Sequence, residues 1–92
     1  MMDVYDRITD ELMNEKSLAA LVYLINGGRE LEFEYNGKEY FMSKSKAEIY
    51  VSLWGEGKEQ SFSRVEELVE NATIDEKPLL SVWKDLTLTY LF

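Results

Sequence analysis

The chain has 92 residues, 18 acidic against 10 basic and a net charge of −8, which is room for one folded domain with one core. Cysteine and histidine are both absent, so disulfides, thiol nucleophiles and every mechanism that needs an imidazole are excluded. With 46% hydrophobic and 13% aromatic residues the composition is that of a folded chain, and no cofactor is expected.

Val4, Ile8 and Leu12 fall four apart, the spacing of a helix face. Ser17 reads as an N-cap for a second helical run that sets Leu18, Leu21, Val22 and Ile25 on one side. Residues 3–26 are therefore one helix or two with a break near Asn14–Ser17, ended by Asn26-Gly27-Gly28. Leu18 to Ile25 is the longest apolar run and is far short of the roughly 20 residues of a membrane span. Its flank is acidic, so a secretory signal is not expected either, and the sequence points to the cytosol.

Glu30 to Tyr35 alternates strictly, as a half-buried strand does, and Asn36-Gly37 is the signal for a two-residue type I′ hairpin. Lys38 to Ser43 returns as a second strand. Ala47 to Trp54 is expected as a third, with Gly55-Glu56-Gly57-Lys58 as a loop after it. Ser63-Arg64-Val65-Glu66 has the capping-box pattern for a helix from Arg64 to Glu70. Residues 72–74 suit a short extended piece before a turn at Asp75-Glu76-Lys77. Pro78 suits the first turn of a helix through Asp85, and Thr87 to Phe92 reads as a final strand. The fold class is α+β. Over residues 1–92 it is one domain, divided into a helical part (1–26), a three-stranded antiparallel part (30–54) and a helix-helix-strand part (63–92). The expected sheet has three to four strands, with the N-terminal helix and two short C-terminal helices on one face.

A two-residue turn sets the register. Tyr35 then faces Lys38, Glu34 faces Glu39, Phe33 faces Tyr40, Glu32 faces Phe41 and Leu31 faces Met42. Leu31, Phe33, Tyr35, Tyr40 and Met42 share the inner face. Glu30, Glu32, Glu34, Glu39 and Phe41 share the outer one, which the third strand extends with Glu48, Tyr50, Ser52 and Trp54. Glu34 opposite Glu39 is the informative pair, because like charges directly opposite destabilise by roughly 0.2–1 kcal/mol. One reading is a solvated face, charged to keep an exposed sheet soluble. The other is a partner-binding face made of Glu32, Glu34, Glu39, Phe41, Glu48, Tyr50 and Trp54, since aromatic residues are enriched at interface centres.

Other constellations carry less. Glu66, Glu67, Glu70, Asp75 and Glu76 lie on a short helix and a turn, where carboxylates are solvated, so catalysis is not expected. Gly55-Glu56-Gly57-Lys58 lacks phosphate-loop spacing, and there is no calcium-loop pattern or other metal site. Arg29, Lys44 and Lys46 are too few to hold nucleic acid directly against a net charge of −8.

From Gly27-Gly28-Arg29-Glu30 through the Asn36-Gly37-Lys38 hairpin, and again from Val82-Trp83-Lys84-Asp85-Leu86 to Phe92, the chain resembles small acidic accessory proteins of phages and prophages of Gram-positive bacteria. That group includes anti-CRISPR inhibitors, several of which occupy the DNA-binding surface of a nuclease such as Cas9. The resemblance implies a phage-encoded inhibitor that acts by binding, in the host cytosol, on a protein with a basic groove. Same-face carboxylates about 6.8 Å apart along a strand are on the scale of phosphate spacing, so DNA mimicry is the expected mechanism. The alternative is a protein–protein adaptor anchored by Phe41, Tyr50 and Trp54. A monomer is expected, because charge repulsion favours it; an exposed final strand leaves a two-fold dimer as the alternative.

Overall fold

The computed structural model describes residues 3–45 and 50–92. Two helices open the fold, α1 (Val4–Glu15) and α2 (Leu18–Asn26). They are separate because Lys16 takes the left-handed conformation (φ 52°) and its N–H closes the last turn of α1 on Leu12 O. The Ser17 side chain then caps α2 by accepting from Ala20 N–H at 3.1 Å, as its position in the sequence predicts.

The break is also a fastening point. The Lys16 carbonyl accepts from the Trp83 indole N–H at 2.8 Å, and its ammonium donates to Lys84 O and Leu86 O. The segment from residue 83 to residue 86 is thereby held against the helical corner.

The sheet has five strands in the order β4-β3-β2-β1-β7, all antiparallel. They are β1 (Leu31–Tyr35), β2 (Lys38–Lys44), β3 (Val51–Gly55), β4 (Lys58–Phe62) and β7 (Thr87–Leu91). Between β4 and β7 the chain forms α3 (Val65–Asn71), a two-residue-per-strand hairpin of β5 (Thr73–Ile74) and β6 (Lys77–Pro78), then α4 (Leu79–Val82) and a 3-10 turn at Trp83–Asp85. The β1–β2 register matches the hairpin prediction at all five pairs, from Leu31 opposite Met42 to Tyr35 opposite Lys38. Asn36 (φ 51°) and Gly37 (φ 76°) are both left-handed, as a type I′ turn requires.

One core sits between the inner sheet face and the helices. Leu31, Phe33, Tyr40, Met42, Val51 and Leu53 pack against Leu21, Leu24 and Ile25 of α2 and Val65 and Leu68 of α3. No helix of the described residues is long and apolar enough to cross a membrane.

Several expectations are corrected. Residues 55–58 are a second hairpin turn, with Glu56 (φ 56°) and Gly57 (φ 74°) left-handed, and the chain returns as β4. The sheet therefore has five strands where three to four were expected. The described part of the third strand starts at Val51; Ala47, Glu48 and Ile49 lie outside the described residues. The capping box does not form. Arg64 occupies the N-cap position of α3 with extended backbone and no side-chain cap, and its guanidinium pairs instead with Glu67 one turn on, at 3.5 Å. Pro78 belongs to β6 and precedes α4, so the expected helix through Asp85 splits into a short α-turn and a 3-10 turn.

Candidate functional site: the outer sheet face

The helices α2 and α3 pack against the inner side of the sheet, α1 and α4 pack on them, and among the described residues no helix covers the opposite face. Strand alternation decides what it carries. One rank crosses all five strands: Glu59, Trp54, Phe41, Glu32 and Tyr90 are successive cross-strand neighbours. A second rank runs Glu39, Glu34, Thr87. A third runs Ser61, Ser52, Ser43.

The outward positions of these ranks hold four carboxylates and no lysine or arginine. Lys38, next to Glu39 in the chain, turns to the other side of the sheet. Its ammonium lies 2.7 Å from Asp75 Oδ1 and 3.8 Å from Glu56 Oε1. No cation among those positions balances the Glu34–Glu39 pair, whose two residues are both exposed.

The aromatic part of the face is larger than the sequence predicts. Trp54 is 46% exposed and lies opposite half-buried Phe41. Phe41 meets the Phe92 ring edge-on at 6.2 Å between centroids, and Phe92 stacks on Tyr90 at 5.6 Å. A stripe Trp54–Phe41–Phe92–Tyr90 therefore runs across the sheet, with Glu32 beside it. A shallow depression of about 240 Å³ opens between Glu32, Glu39, Phe41 and Trp54, floored by Tyr40 and Gly55.

Hydrogen bonds hold two of the carboxylates in place. Thr89, the extra residue of a bulge in β7, donates its hydroxyl to Glu32 O at 2.8 Å and lies 3.4 Å from Glu32 Oε1. Buried Ser52 donates to Glu59 Oε2 at 2.5 Å.

Of the residues singled out from sequence, Glu32, Glu34, Glu39, Phe41 and Trp54 share this face. Glu48 lies outside the described residues. Tyr50 does not join the ranks: it precedes β3 and lines a separate recess with Asn26, Lys44 and residues 63–66 at the helix side. Glu59, Tyr90 and Phe92 belong to the face and were not anticipated. The signal for the last two was the alternation of Tyr90 and Phe92. Only the placement of β7 beside β1 brings them to Phe41.

Three hairpin turns gather at one end of the sheet, around Asn36, Glu56 and Asp75. Asp75 accepts from Lys38 Nζ at 2.7 Å and Asn36 Nδ2 at 3.3 Å, and its own N–H donates to Glu56 Oε2 at 3.1 Å. The Lys38 hydrogen bond holds the Asp75 carboxyl below its ordinary pKa and, reciprocally, raises that of Lys38. Glu56 is lowered chiefly by the Asp75 N–H. Under this cluster lies the Tyr40 hydroxyl, buried and, among the described residues, outside hydrogen-bond geometry with any partner. Burial, reinforced by the nearby Glu56 carboxylate, pushes its pKa up to about 12.

A wider hollow of about 670 Å³ lies between α1 and α2, lined by Tyr5, Ala19, Val22 and Tyr23. It includes no carboxylate and none of the partner-binding candidates read from the sequence. Among the described residues no group of three or more acidic side chains is arranged to hold a metal ion. No family model, curated protein or solved structure shows significant similarity to the chain.

Proposed function

We propose that the protein is a non-enzymatic inhibitor that docks the outer face of its sheet on a basic, nucleic-acid-binding groove of another protein. The phage-type resemblance makes a CRISPR nuclease in the bacterial cytosol the specific target. The observation that carries the reading is the composition of the face: four carboxylates, an aromatic stripe and no basic side chain among the outward positions of five strands. Carboxylates about 6.8 Å apart along a strand, on strands about 4.8 Å apart, present negative charge at a density that phosphate-binding lysines and arginines accept. The stripe supplies an apolar centre that excludes water and gives affinity beyond charge.

The size of the stripe also favours a second reading, an adaptor whose affinity comes from Trp54 and Phe41 and whose charge serves solubility. Salt separates the two. A charge mimic weakens steeply as salt rises, whereas an aromatic anchor does not. The experiment is a competition assay in which the protein is titrated against a nuclease already bearing guide or target, at low and at high salt. Inhibition that is relieved by salt and by excess duplex supports mimicry. Binding that ignores both supports the adaptor.

A further inference from the structure

The two edges of the sheet differ in chemistry. β4 carries Lys58 and Glu59, and α3 packs beside it. β7, Thr87-Leu88-Thr89-Tyr90-Leu91, carries no charge in a chain that is 30% charged. Among the described residues β1 is the one element packed extensively against β7, so the other side of the β7 backbone faces away from the sheet. Sheets guard open edges with lysine, proline or inward charges, and β7 has none of these. Its side chains are also incompletely covered. Leu88 and Leu91 are only half-buried on the inner face, and Tyr90 and Phe92 are 62% and 56% exposed on the outer.

Symmetry selects the occupant. A two-fold contact sets a surface patch against its own copy. On a chain of net charge −8, most patches would then oppose carboxylate to carboxylate. The β7 edge is free of that conflict. We infer that β7 pairs antiparallel with β7 of a second copy, joining two sheets into one continuous sheet. Leu88 and Leu91 of the two copies complete each other's cover on the inner face, and the aromatic stripe continues across the two-fold on the outer. Pairing along five residues is a smaller contact than the roughly 1,600 Å² of a standard stable interface, so the dimer is a weak, concentration-dependent one. Salt screens the repulsion between the two bodies, so dimerisation strengthens as salt rises.

The test is sedimentation equilibrium of the full chain over a concentration series, at low and high salt, beside the double variant Thr87→Lys/Tyr90→Lys. In the folded monomer these lysines face Glu34 and Glu32 across the ladder, which supports the fold while charging the edge. The wild type should move from one chain mass to two, more readily in high salt, and the variant should associate at least tenfold more weakly. Hydrogen exchange on the wild type gives a second readout that needs no variant: protection should rise with concentration at residues 87–91 and not along β4. A wild type that stays monomeric throughout the series overturns the inference. So does a folded variant that dimerises as well as the wild type, or protection that rises elsewhere.

Discussion

Gly55 lies directly opposite Tyr40 in the β2–β3 ladder, and the tyrosine ring occupies the space where a Cβ at Gly55 would go. The overlap is with ring atoms Cδ1, Cε1 and Cγ, which cannot swing aside as the tip of a flexible chain does. Tyr40 in turn stacks on Phe33 at 5.4 Å, so displacing it disturbs the centre of the core. Gly55→Ala should destabilise by about 1–3 kcal/mol, the range for overpacking a filled core. Chemical denaturation measures it, and a neutral result would mean the ring has room to move.

Phe33 is fully buried at the middle of β1. Phe33→Ala should cost about 3–5 kcal/mol by the same measurement, a large part of an ordinary domain's stability. A cost below about 1 kcal/mol would mean that the inner face has been wrongly assigned.

Much of this architecture was legible locally. Asn36-Gly37 determines the turn type, the turn determines the register, and the register sorts Leu31, Phe33, Tyr40 and Met42 from the glutamates. β4 was not legible, because Lys-Glu-Gln-Ser-Phe shows no apolar alternation. Its inner position is taken by Gln60, whose amide accepts from Thr73 N–H at 2.8 Å and donates to Thr73 O at 2.9 Å. A half-buried polar side chain that pairs with backbone in this way hides an edge strand from any hydrophobic pattern. The same limit applies to the site. Glu34 and Glu39 meet through a local turn, whereas Phe41 and Phe92 meet only through the long return of the chain to β1.

The turn cluster predicts a dependence on acid. Asp75 and Glu56 have folded pKa values below their ordinary 3.8 and 4.5, so their contribution is present above those values and is lost as the pH falls through the lowered ones. Melting temperature should therefore drop between about pH 5 and about pH 2. Asp75→Asn should melt lower than wild type near about pH 7, and the two curves should converge in acid. Parallel curves would contradict the network.

At the alkaline end Tyr40 should keep its proton until about pH 12. Its raised folded value makes the stabilisation complete below the ordinary 10.0 and progressively lost as the pH rises toward about 12. A phenolate absorbance titration of the six tyrosines should show a late component that disappears in Tyr40→Phe. That variant should itself be near neutral in stability, because it removes a hydroxyl with no hydrogen-bond partner among the described residues. Absence of a late component would mean that the hydroxyl is open to solvent.

Docking through the outer face, as proposed, would mean that its charge serves a partner at some expense to folding. Glu34 faces Glu39 with no outward base among the rank positions, so Glu34→Lys turns a repulsive pair into an attractive one and should raise stability by roughly 0.2–1 kcal/mol. Against a basic groove the same lysine sets like charge on like, and affinity should fall about tenfold or more, each tenfold being about 1.4 kcal/mol. The deciding measurement is nuclease binding by Glu34→Lys and Glu39→Lys, each with a thermal melt on the same sample. Docking through this face requires that the variants melt at or above the wild-type temperature and bind more weakly. Variants that keep wild-type binding would contradict it, leaving the acidic face as a solvated surface only.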